Sequence, residues 1–99
     1  MKLSVQEQAA NWYKDELELE KDSSLRFFVR YGGVGGLKPG FSLGIRPEEP
    51  VEPVAEDTVK DVQFYIEQED AWYFDHHDVT VYYNEDKQEP DFEYKDTTS

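Results

Sequence analysis

Leu25-Arg26-Phe27-Phe28-Val29-Arg30-Tyr31 leads into Gly32-Gly33-Val34-Gly35-Gly36, and after Leu37-Lys38-Pro39 the chain resumes as Gly40-Phe41-Ser42-Leu43-Gly44-Ile45-Arg46. In the first run Leu25, Phe27, Val29 and Tyr31 alternate with Arg26, Phe28 and Arg30, the period-two pattern of a strand with one buried face. The second run repeats it, with Phe41, Leu43 and Ile45 set against Ser42, Gly44 and Arg46. Four of the six glycines fall between the two runs, where backbone must take φ > 0 or be approached closely. Together these segments predict a long-looped antiparallel hairpin.

On either side the pattern continues in short elements. Ser4-Val5-Gln6-Glu7 reads as a capping box, and apolar residues from Val5 through Ala9, Trp12 and Tyr13 to Leu19 predict a helix over 5–20. Lys21-Asp22-Ser23-Ser24 is a polar turn. Pro47, Pro50 and Pro53 form an extended connector, since proline cannot join a central ladder. Val59–Ile66 and Val79–Tyr83 read as strands, Glu69–Phe74 as a helical turn and Asp91–Tyr94 as a last edge strand. Trp12, Trp72, Tyr73 and Phe74 are expected to fill the core. The expected fold is one domain over 1–99, α+β and mainly β, with an N-terminal α-helix and four or five strands.

The chain has 99 residues, no cysteine and a net charge of −13. Without cysteine there are no disulfides, thiolate metal sites or thiol nucleophiles, and folding on packing alone suits a reducing cytoplasm. No stretch reaches the roughly 20 apolar residues of a membrane span. The charge is uneven: residues 1–46 carry seven Lys/Arg and six Asp/Glu, residues 47–99 three Lys and seventeen Asp/Glu. Nucleic acid is an unsuitable partner for such a chain, because affinity for it comes mainly from Lys and Arg. Residues 47–99 suit a basic protein partner.

Residues 25–36 with 40–44, and the order of elements around them, resemble the HesB-like domain of the A-type iron–sulfur carriers, in particular its short HesB/YadR/YfhF branch. The resemblance implies a compact two-sheet β fold with helical segments packed outside. It further implies cluster ligands at one cysteine in the glycine loop and at a Cys-Gly-Cys pair near the C-terminus. Val34 occupies the loop position here, and Pro90–Asp96 contains no thiol. Soft thiolates are what a cluster requires, so the expectation is a protein that has lost its cluster ligands, holds no cofactor, and serves as a non-enzymatic interaction or scaffold protein.

Two sets of side chains are candidates for binding. Gly32, Gly33, Gly35 and Gly36 can direct N–H groups at an anion or a partner, with Arg26, Arg30 and Lys38 as adjacent charge. Asp75, His76, His77 and Asp78 are the metal-ligand types nearest one another. These sets carry the alternative reading, a metal- or small-anion-binding protein linked to iron–sulfur cluster biogenesis. Catalysis needs an activated nucleophile with a base in reach, and no spacing in the chain suggests one.

Overall fold

The structure is a computed structural model that describes residues 1–33 and 36–97. It is mainly β, with seven strands, two α-helices and two sheets among the described residues. The expected hairpin is present: β2 (Ser23–Tyr31) pairs antiparallel with β3 (Phe41–Pro47), from Leu25 opposite Pro47 to Tyr31 opposite Phe41. Leu25 and Phe27 are fully buried, Val29 packs at the margin of the core, and Tyr31 emerges into solvent.

β4 (Pro53–Val59) and β5 (Val62–Glu67) complete the larger sheet in the order β3-β2-β5-β4, with β5 parallel to β2. The strand expected within 59–66 is β5, while β4 precedes it over residues with no strand reading and takes in only Val59 of that range. Lys60 and Asp61, both at positive φ, make the two-residue turn whose twist suits a tight hairpin. The proline connector crosses from one edge of this sheet to the other over the outer face of β2 and β5. Hydrogen bonds tie it down along its length: the Glu48 N–H donates to the Ser24 carbonyl, Tyr65 Oη to the Glu48 carbonyl, the N–H groups of Val51 and Glu52 to the Glu67 carboxylate, and the Gln68 N–H to the Glu52 carbonyl.

The smaller sheet has the order β1-β6-β7, formed by β1 (Leu3–Val5), β6 (His77–Asn84) and β7 (Glu89–Asp96). β1 corrects the capping-box reading. Ser4 lies opposite Thr80 in a parallel pair, and the helix cap at Gln6 makes no side-chain hydrogen bond. α1 runs over Glu7–Glu16 rather than 5–20. It stops because Glu18 turns to φ 50 while the Leu17 and Leu19 N–H groups bond back to Tyr13 and Lys14. The core lies between the sheets and under α1. Phe27 and Phe64 stack at 5.9 Å, Phe92 meets Phe27 edge-on from the other sheet at 5.5 Å, and Tyr13 reaches both Phe27 and Phe64 from the helix.

The helical turn at 69–74 is also present, as a 3₁₀ turn (Gln68–Asp70) running into α2 (Ala71–Phe74). Tyr73 and Phe74 are buried as expected. Trp72 is 53% exposed, which corrects its placement in the core. No helix is long and apolar enough to cross a membrane among the described residues.

Candidate functional site

The basic residues of the hairpin separate into different environments. Arg26 is only 8% exposed and is clamped by three carboxylates. Its Nη1 donates to Glu48 (2.8 Å), and its Nη2 to Asp70 (3.0 Å) and to Glu69. These bonds and the nearby negative charge more than offset burial and hold Arg26 above its ordinary pKa, while the Arg26 hydrogen bond lowers that of Glu48. Arg26 is therefore not a free cation beside the glycine loop. Arg30 is exposed and makes no ion pair with a described residue. Arg46 lies 4.5 Å over the Phe28 ring, which occupies the space above Gly44: a Cβ there would meet it at 2.6 Å.

Three of the N–H groups of the described loop residues are turned inward. Gly32 donates to the Gly40 carbonyl (2.7 Å), and the N–H groups of Leu37 and Lys38 donate to Tyr73 Oη. Gly32 and Gly33 have φ of +106 and +81, and a Cβ on Gly36 would collide with the Phe41 carbonyl and Tyr73 Oη. These glycines serve loop conformation and close packing, and the N–H groups of Gly32, Leu37 and Lys38 are spent on the chain itself. Gly35, the other loop glycine of the candidate set, lies outside the described residues, as does Val34.

Asp75, His76, His77 and Asp78 diverge. His77 Nδ1 lies at 3.1 and 2.8 Å from the Phe74 and Asp75 carbonyl oxygens, Asp78 accepts from the Lys2 N–H, and His76 stands exposed 3.6 Å from Asp75. Among the described residues no three His, Asp or Glu side chains converge as a metal ion would require. The acidic residues of the second half gather instead around Arg26, where Glu48, Glu49, Glu52 and Glu69 line a groove of ≈ 340 Å³.

What alternation alone did not bring out is an aromatic surface at the free end of the hairpin. Tyr31 (87% exposed) meets Phe41 edge-on at 5.7 Å, and Phe41 meets Trp72 at 5.5 Å. The position of Tyr31 at the last residue of a nine-residue strand, beyond the reach of the core, was the available signal. Tyr73 fixes this end by packing against Phe41 and Trp72 while its hydroxyl holds the loop. Two exposed aromatics, Tyr31 and Trp72, thus flank the partly buried Phe41 ring at this end of the molecule.

No family model matches the chain, and no solved structure does. Curated proteins do. A Bacillus subtilis protein named "Pyruvate dehydrogenase inhibitor" is 47% identical over 95 residues, covering 96% of this chain and all of that protein. Uncharacterized proteins of Staphylococcus haemolyticus (44% identical, 82% of this chain and 85% of theirs) and of Staphylococcus aureus strain MRSA252 (41%, 88% and 94%) match over most of both lengths. With identity at that level along nearly its whole length, the chain belongs to the family of the Bacillus subtilis pyruvate dehydrogenase inhibitor and these staphylococcal proteins.

Proposed function

We propose that this chain is a non-enzymatic inhibitor that acts in the cytoplasm by binding a pyruvate dehydrogenase, with the aromatic end of the β2–β3 hairpin as its contact surface. The observation that carries the proposal is the 47% identity spanning the whole of the relative named for that inhibition. The geometry supports a binding role over a chemical one. Ser23 Oγ accepts from the Glu20 N–H, Ser24 Oγ bonds Gln63, and Ser42 Oγ donates to the Gly32 carbonyl, so these hydroxyls are used structurally. Tyr31 and Trp72 are the side-chain types that dominate protein contacts, because they bring large area with little rotamer freedom. The HesB-like frame is the ancestry we propose for the fold. With valine at position 34 and no cysteine in the chain, contact takes the place of thiolate chemistry.

The test is the rate of NADH formation by purified Bacillus subtilis pyruvate dehydrogenase complex with increasing amounts of this protein. The expected result is dose-dependent inhibition, with Tyr31→Ala and Trp72→Ala each raising the half-inhibiting concentration about tenfold. Full enzyme activity in the presence of excess protein refutes the function. Inhibition that survives both aromatic variants but is lost in Glu49→Lys/Glu52→Lys moves the contact to the acidic groove and a basic partner surface.

A further inference from the structure

Four strand edges border the two sheets; β1 and β4 cover one another in part, and β7 is blocked over Pro90–Phe92. β1 lies against β4, with the Val5 N–H donating to Asp57 Oδ2 at 2.8 Å. On β7 the Thr97 N–H bonds the His76 carbonyl, which fixes the phase of that ladder. Because antiparallel pairs alternate between bonded and non-bonded, the backbone of Pro90, Phe92 and Tyr94 points away from β6, toward the free side. Pro90 has no N–H to offer, and the Phe92 N–H is taken by the Asp91 carboxylate at 2.9 Å. Capping and proline are the devices by which proteins protect edges.

β3 lacks that protection along its centre. The Gly32 N–H to Gly40 carbonyl bond sets the phase of the β2–β3 ladder. It makes Arg30–Ser42 and Phe28–Gly44 the bonded pairs, so the N–H and C=O groups of Leu43 and Ile45 face outward with no partner among the described residues. They face a groove between β3 and β7. One part, ≈ 370 Å³, is lined by Trp12, Arg30, Ile45 and Phe92; the next, ≈ 500 Å³, shares Leu43 and Pro90 with it and ends at Gly36 beside the aromatic surface. Arg30 lines the first part with Glu89 and has no ion pair among the described residues, Asp91 in the second part is held by Lys87, and Arg46 extends along the same edge over Phe28.

We propose that β3 is a strand-addition site, where an extended acidic segment of the target enzyme pairs with the Leu43 and Ile45 backbone and sets a carboxylate against Arg30. Backbone pairing supplies the affinity in this mode, and alternate side chains supply the choice of partner. The site rests on the inhibitory reading and adds the kind of segment recognised.

Hydrogen–deuterium exchange of the full-length protein, alone and saturated with pyruvate dehydrogenase complex, tests it beside the inhibition assay. The expected result is that exchange at Leu43 and Ile45 slows about tenfold or more in the complex. Leu43→Pro removes an outward N–H without removing a bond to β2, and it and Arg30→Glu each raise the half-inhibiting concentration about tenfold. If Leu43→Pro fails to fold, the exchange result decides alone. Inhibition by the wild type with protection only elsewhere overturns the strand-addition site and leaves the inhibitory function standing. Neither inhibition nor protection overturns both. Protection at Leu43 that rises with concentration of this protein alone assigns the edge to a second copy and overturns the proposal.

Discussion

Phe27 and Tyr31 lie on the same side of β2, four residues apart, yet truncating them should have opposite consequences. Phe27 is fully buried and joins all three layers, touching Phe64 within its own sheet, Phe92 in the other and Tyr13 on the helix. Phe27→Ala removes the ring's transfer free energy and leaves a cavity bounded by three other rings that cannot all collapse into it, a loss of about 4 kcal/mol. In a chain of this length that lowers the melting temperature by about 15–30 °C, and the urea midpoint by about 2 M at unchanged m-value. Tyr31 is 87% exposed, so Tyr31→Ala should change stability by less than about 0.5 kcal/mol while raising the half-inhibiting concentration about tenfold. Urea unfolding followed by tryptophan fluorescence and the enzyme assay, run on the same preparations, measure both effects. A Phe27→Ala loss below about 1 kcal/mol, or a Tyr31→Ala loss as large as that of Phe27→Ala, would refute the packing described here.

Arg26→Met should destabilise by about 3 kcal/mol, because it strands the nearly buried Asp70 carboxylate without its cation; the exposed Glu69 contributes little, and a denaturation midpoint within error of wild type would contradict the clamp. Stability should also fall in acid. Glu48, held down by the Arg26 hydrogen bond, and Asp91, lowered by the Phe92 N–H, Asn84 and Lys87 against the opposing effect of burial, both have folded pKa values below their ordinary ones. Their stabilisation is present above the ordinary carboxylate pKa and is lost as pH falls through the folded values; melting curves between neutral pH and pH ~3 should show it, with a shallower decline in Arg26→Met. Gly36→Ala should cost about 1–3 kcal/mol by overpacking against Phe41 and Tyr73, and amide spectra should show Leu37 and Lys38 released from Tyr73. Unchanged Leu37 and Lys38 resonances would rule out the anchor.

The sequence was most legible where one face of an element is buried along its length. Alternation from Leu25 to Tyr31 and from Phe41 to Ile45 located the hairpin because the pleat places alternate residues against a continuous core. β1 was hidden because three residues cannot display a period, and Ser4 with Glu7 satisfies the capping pattern equally well. β4 was hidden by its edge position: Pro53, Glu56 and Thr58 face solvent and Asp57 is used to bond Val5, so the strand reads as polar connector. At Leu17 and Leu19 the helical spacing outlasts the helix, since burial of those side chains does not require the backbone to stay helical. Arg26 and Arg30 look alike in sequence. The connector, which delivers Glu48 over β2, and the 3₁₀ turn, which delivers Glu69 and Asp70, clamp one and leave the other open.

The parallel pairing of β1 with β6 orders events in time. Leu3 finds Val79, 76 residues away, so β1 is made before every other strand of the two sheets, while the partners in its own sheet are made after all the rest. The β2–β3 and β4–β5 hairpins can close locally, but β1 must wait in solution until residues 77–84 are available, a non-local step of the kind that slows folding. During that interval Leu3 and Val5 are exposed and the unprotected β3 edge is already formed. The chain is therefore most prone to mispairing in the interval before β6 becomes available.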